Sequence, residues 1–285
     1  MNTNAFTVDF EDWYQGIEQP YSAWPKYERR IEKGFYAVFE ALQKQGIKAT
    51  FFTLGWVARE YPALLKELAA AGHELGSHGY THEKIYNLTP QQFREEIRDS
   101  KKAIEDVTGQ SVTTFRAPFF SITQQSLWAL PILAEEGYKI DCSISPIKTW
   151  RYGIPSCPDE IFSIEEANIV EFPVSVFRFM KKSWAIGGAY FRLFPYLFTE
   201  KGMNKRKSEN KYSMFYIHPW EYDPEHPIVD MEKKAKFTHY TGLKKTLPRT
   251  EKLLSNHRFG TVSEVVENYQ KNNGIRSFSI DILQS

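Results

Sequence analysis

Apolar β-forming runs alternate with amphipathic stretches that stop at glycine, and this alternation narrows the choice of fold more than any other feature. Residues 6–10 (FTVDF) form a short β-rich run that ends in acids. Residues 26–45 then carry Ile31, Phe35, Val38, Phe39 and Leu42 at helical spacing and stop at Gly46. Residues 49–54 (ATFFTL) read as a strand buried on both faces. Residues 62–71 read as helix, ending at Gly72. Thr89-Pro90-Gln91-Gln92 opens another helix, with an N-cap threonine, proline at the first position and glutamine at the third. That helix is expected to reach Val107 and stop at Gly109. Strand 112–115, helix 125–136 and strand 138–144 follow. Such alternation predicts parallel strands joined by right-handed crossovers.

The second half is less regular. Residues 169–174 and 214–217 read as strands and 242–256 as helix. Between those strands runs a long connection, 176–212, whose basic part 201–211 (KGMNKRKSENK) is expected to be a solvated surface loop. With 285 residues, no repeats and no low-complexity linker, the simplest organisation is one catalytic-sized α/β domain over 1–285, with an irregular C-terminal part from about 170 to 285. The architecture expected is a distorted (β/α) barrel of about seven parallel strands.

Charge excludes some partners. Lys+Arg (36) and Asp+Glu (35) nearly cancel, so no bulk field favours nucleic acid. Two cysteines, Cys142 and Cys157, make neither a disulfide framework nor a cysteine-rich metal site. The N-terminus lacks the pattern of a secretory signal, and no run reaches the ~18 apolar residues of a membrane span, so a cytoplasmic location is expected. The nearest approach to a span, residues 184–198, is broken by Arg192 and Pro195. It reads as buried interior, with contact to lipid or a lipid-linked substrate at a membrane surface as the alternative. Oligomeric state has no signature in the sequence.

The chemistry-bearing residues gather where strands end. In parallel α/β barrels that rim carries the catalytic groups. Asp9, Glu11 and Asp12 close the first strand, and His78 and His82 follow the third. Arg116 follows the next, Asp141 ends another, and His218 ends the late strand MFYI. His78 and His82, four apart, can meet one metal, and an acid from the first cluster can complete a three-ligand site open to water. A second acid is then available as a base. Arg116, before Pro118, can fork onto a carboxylate. His218, before Pro219, suits proton donation near neutral pH. His73, His226, His239 and His257 and both cysteines lack such company and read as structural. Nucleotide-binding and nucleophile-elbow patterns are absent from the sequence.

In order along the chain, TVDFED (7–12), SHGYTH (77–82), FRAPFF (115–120), YKIDCSISP (138–146) and YIHPW (216–220) resemble the motifs of NodB-homology polysaccharide deacetylases, carbohydrate esterase family 4. EFP (171–173), GGAYFR (187–192), HPWEYDP (218–224) and FTHY (237–240) are similar to a subfamily from exopolysaccharide and exosortase-linked gene clusters. The resemblance implies metal-dependent N-deacetylation of an N-acetylated poly- or oligosaccharide. It implies Asp9 as base and His78 and His82 as metal ligands. Arg116 would orient the base, Asp141 support the acid side, and His218 protonate the leaving amine. Asp12 is taken as the acidic ligand because an aspartate agrees with the family, with Glu11 as alternate. Zinc suits the donor set, with cobalt, nickel and manganese as alternatives. A backbone N–H near Phe119 would hold the oxyanion.

The aromatic content, 15%, suits a sugar groove as well as a core. Tyr80, Pro118, Phe119, Phe120, Trp220, Tyr190 and Arg192 are the expected substrate contacts, and Trp13 and Tyr14 further rim aromatics. The other readings are a deformylase or amidohydrolase acting on a lipid- or nucleotide-linked sugar, and a non-catalytic carbohydrate-binding domain.

Overall fold

A computed structural model describes residues 3–284, apart from 148, 150, 151 and 181. Its first half is the expected series of strand–helix units. β1 (Asn4–Phe10) leads to α1 (Ile31–Lys44), then β2 (Thr50–Thr53), α2 (Gly55–Glu60), α3 (Pro62–Ala70) and β3 (Glu74–Ser77). α4 (Pro90–Thr108), β4 (Thr114–Phe115), α5 (Ala129–Glu135) and β5 (Ile140–Asp141) follow. The second half adds strands β6 (Phe162–Ile164) and β7 (Ile169–Glu171), the hairpin strands β8 (Val176–Phe179) and β9 (Lys182–Ala185), and helices α6 (Gly188–Leu193) and α7 (Tyr196–Ser208). It closes with β10 (Met214–Ile217), α8 (Lys233–Tyr240), α9 (Thr246–Asn256), β11 (Phe259–Gly260), α10 (Val262–Asn273) and β12 (Arg276–Phe278).

The main sheet has the order β10-β1-β2-β3-β4-β5-β7-β6-β12, with β11 also paired to β1. From β10 to β7 every pairing is parallel, which makes the seven parallel strands of a distorted barrel. β6 turns antiparallel against β7. β8 and β9 form a separate two-stranded sheet.

Local chemistry explains these elements. On α1 the apolar stripe is buried, and Phe35 stacks on Phe10 of β1 with ring centres 5.4 Å apart. Each such buried side chain contributes about 1.5–3 kcal/mol. α4 carries the Thr89/Gln92 capping box and stops at Gly109, whose left-handed φ of 67° suits glycine. Gly34 on α1 is fixed by closeness instead: a Cβ there would lie 1.9 Å from the Pro219 carbonyl oxygen. That contact seats the turn following His218 directly on α1.

The stretch expected to be a solvated loop, 201–211, is mostly the helix α7. Its lysines hid an internal anchor. Arg206 is buried and donates to the carbonyls of Val176, Asp159 and Tyr212. With Thr199, Gly202 and Met203 it forms the covered face of the helix. A fully hydrogen-bonded arginine can substitute for an apolar contact, and a hydropathy pattern does not register it.

Candidate active site

Strand alternation places Asp9 and Glu11 on one side of the chain at the end of β1. Asp12 lies beyond a tight turn, in which the Glu11 N–H donates to the Asp9 carbonyl. Glu11, His78 and His82 come together: one ligand atom from each lies within 4.8 Å of the others, and all three are buried. The structure therefore puts Glu11, the alternate, with the histidines and corrects the choice of Asp12. Asp12 Oδ2 instead accepts the N–H groups of Arg30 (2.8 Å) and Ile31 (3.1 Å), and Oδ1 that of Trp13 (2.8 Å). Its carboxylate is spent on tying the start of α1.

The donor atoms are arranged for a cation. A carbonyl only accepts, so His78 Nδ1, 2.7 Å from the Arg116 oxygen, carries the hydrogen and leaves Nε2 a lone pair. Glu11 Oε1 accepts from Trp220 Nε1 at 3.1 Å. Its Oε2 has no hydrogen-bond partner among the described residues, although His82 Nε2 is only 2.7 Å away. Two lone pairs aimed at one point are what a bound cation satisfies. Burial, reinforced by the neighbouring His82, pushes the His78 pKa well below normal and keeps the ring neutral. Burial would raise the Glu11 carboxyl, but the charge of His82, followed by that of His218, holds it low.

The loop bearing the histidines is held from below. Glu96 of α4 accepts from the N–H groups of Tyr80 and Thr81, both at 2.9 Å, and from the Thr81 hydroxyl at 2.7 Å. His82 sits at φ 57°, a left-handed conformation that is strained for a side chain of this kind. These contacts over-determine it. No sequence pattern had marked Glu96.

Asp9 is held by Arg116, whose Nη1 lies 2.5 Å from Oδ1 and 2.9 Å from the Thr7 hydroxyl. Asp9 Oδ2 faces His218 Nε2 at 3.7 Å. Arg116 and Asp9 thus form a buried ion pair.

Asp141 is not on the acid side. It is the register partner of Glu171 on β7, and its Oδ1 accepts from Ser143, whose oxygen accepts the Ala117 N–H at 2.7 Å. Burial raises both acid pKa values, and the charge of Asp141 raises that of Glu171 further. Asp141 therefore anchors the turn beyond Arg116. The partner of His218 is Glu221, at 2.7 Å from Nδ1, and Glu221 is ion-paired in turn with Arg192. Arg192 also donates to the carbonyls of His239 and Thr241. Burial opposes protonation of His218. The hydrogen bond to Glu221 and the charges of Glu11, Glu221 and Asp9 outweigh it and raise the pKa to about 9.

The aromatic expectations divide. Tyr80 and Phe119 are half-buried, and the Phe119 ring lies 4.5 Å from His82, forming a wall of the site. Pro118 and Phe120 are buried, with Phe120 edge-on to Tyr216. Trp220 is also buried. It stacks between His218 and His239 and orients Glu11, so it is a support and not a sugar platform. Arg192, buried on Glu221, is equally unavailable to substrate. Trp13 and Tyr14 are core residues. Tyr190 is half-buried among Trp184 and Phe194.

Residues 23–139 match a family model described as Polysaccharide deacetylase, and residues 142–267 match one described as Domain of unknown function (DUF3473). The chain is 34% identical over 88 residues to the peptidoglycan-N-acetylglucosamine deacetylase PgdA of Listeria monocytogenes, 31% of this chain and 19% of that protein. It is 32% identical over 92 residues to the chitooligosaccharide deacetylase of Azorhizobium caulinodans, 32% of this chain and 44% of that protein. In both cases the chain spans less than half the relative's length. The fold is that of a crystal structure described as a putative polysaccharide deacetylase from Mycobacterium smegmatis, with TM-score 0.67, 17% identity, and coverage of 96% of this chain and 92% of the other.

Proposed function

The chain belongs to the NodB-homology polysaccharide deacetylases, carbohydrate esterase family 4, and on that premise we propose that it hydrolyses N-acetyl groups from sugars of a surface or exported polysaccharide. The observation that carries this reading is the facing of Asp9 and His218 beside Glu11, His78 and His82. A base, an acid and a cation-binding triad then border one small volume.

Glu11, His78 and His82 would hold a divalent cation. Zinc fits two imidazoles and a carboxylate, and cobalt, nickel and manganese are the alternatives. Such an ion, when bound, supplies Lewis acidity to an acyl oxygen and acidifies water. Asp9 keeps Oδ2 free of Arg116 and accepts the proton of the attacking water. Arg116 fixes that carboxylate through Oδ1. His218 Nε2 donates a proton to the departing amine nitrogen as the C–N bond breaks, and acetate and a free amine leave. Glu221 holds the ring through Nδ1, so that Nε2 points toward the reacting atoms. Phe119 and Tyr80 wall the site and limit water.

Acetate release from N-acetylated chitooligosaccharides, measured after chelation and after return of Zn²⁺, tests the proposal. Activity should fall on chelation and return with the ion. Asp9→Asn should lower release by about 10²–10⁴-fold while the ion stays bound. Unchanged acetate release by Asp9→Asn would sink the assignment of the base.

A further inference from the structure

Away from the site, α6, α7 and the β8–β9 hairpin build an aromatic surface that the proposed chemistry does not use. Tyr190, Phe194 and Phe198 recur every four residues. Tyr190 and Phe194 are parallel with centres 6.1 Å apart, and Phe194 and Phe198 stack at 4.7 Å. Trp184 of β9 meets all three edge-on. These four rings are only half-buried. At their border stand the two most exposed large apolar side chains among the described residues, Met180 at the hairpin turn (80% exposed) and Leu197 on α7 (73%). Phe179, next to Met180, touches Phe198, next to Leu197, so the hairpin turn is packed against α7.

Cations border this face. Lys182 and Lys201 are exposed, and the Lys201 ammonium lies 4.3 Å from the Phe179 ring centre. Lys252 similarly covers Tyr196 at 4.7 Å. The acid closest in sequence, Glu200, is engaged by the Tyr196 hydroxyl and His257. Lysines lying across ring faces, half-sunk Trp and Tyr, and protruding Met and Leu make up the chemistry of a bilayer interface. A glycan platform would instead offer acceptors for hydroxyl groups beside its rings.

We propose that this face docks the protein peripherally on an anionic lipid surface, with Met180 and Leu197 entering the headgroup boundary and Lys182, Lys201 and Lys252 meeting lipid phosphates. No described helix is long and apolar enough to cross a membrane, so the contact is interfacial. Attraction of this kind needs both parts: apolar insertion and charge.

Co-sedimentation of the full chain with phosphatidylcholine vesicles, and with vesicles carrying about a third phosphatidylglycerol, tests this. The protein should pellet with the anionic vesicles and be released by salt. Met180→Glu with Leu197→Glu should abolish pelleting, and Lys182→Glu with Lys201→Glu should weaken it roughly tenfold. Both variants should keep acetate release from a soluble chitooligosaccharide, which shows that they fold and separates this inference from the proposed activity. Protein left in the supernatant with both vesicle types overturns the proposal. So does equal pelleting by the parent and both variants. A Met180→Glu/Leu197→Glu variant that loses a dimer seen by light scattering, with no vesicle binding by the parent, overturns it in favour of self-association.

Discussion

Glu11, His78 and His82 stand at the ends of β1 and β3, strands that flank β2, and are fixed mainly by neighbouring backbone and one glutamate. His218 instead depends on Glu221 and Arg192, and through Arg192 on the carbonyls of His239 and Thr241. The candidate metal-binding half is thus a product of regular strand–helix units. The half proposed to donate a proton is a product of buried charge gathered from an irregular segment. Regular units place side chains through register, whereas irregular ones must place them through explicit ion pairs, each of which is costly if left incomplete.

Mutations should separate the two halves. The largest effect belongs to Glu11→Ala or His78→Ala, which should remove bound zinc, read by elemental analysis, and leave no measurable acetate release. Asp9→Asn and His218→Ala should each cost about 10²–10⁴-fold in kcat with zinc retained. Loss of zinc in His218→Ala would show that the halves are not independent. Glu221→Gln should cost less, on the order of tenfold to a hundredfold, and carries a pH signature. The imidazolium of His218 is present below about pH 9 and is lost as pH rises through that value. Without the Glu221 charge, the alkaline limb of kcat/KM should move toward neutrality; an unmoved limb would dissociate Glu221 from the acid. Arg192→Ala breaks a buried pair and should cost roughly 3–5 kcal/mol in unfolding experiments, with little change in metal affinity. Smallest is Glu96→Gln, which loosens the histidine loop and should weaken zinc about tenfold, with kcat near normal at saturating metal.

The metal-binding half was largely legible because it follows local rules. Strand ends, the four-residue spacing of His78 and His82, and the stiff turn at Pro118 are visible in one dimension. Glu11 against Asp12 was not, because the decision is tertiary: Asp12 turns away to amides of Arg30 and Ile31, which arrive from the next helix. The parallel units and their order were readable up to β5. Beyond it β7 and β10 were also readable but the other strands were not, and α7 shows no apolar stripe because its buried face includes Arg206. Glu221 and Arg192 did leave one sign. An arginine inside the nearly apolar run 184–198 must find a partner when buried, and a glutamate three residues after a candidate acid histidine is within reach of its ring.

The pairing of β1 with β10 has a further consequence, for the order in which the chain acquires structure. β1 lies between β2 and β10, with β11 also attached to its start. During synthesis β1 emerges first, yet one of its edges waits for a strand about two hundred residues later. The early units can pair among themselves, but the exposed edge of β1 remains open to wrong partners until then. Contacts so distant in sequence slow folding. Completion of that edge and delivery of His218, which directly follows β10, are therefore one event, so a chain still missing its late strand lacks its acid as well.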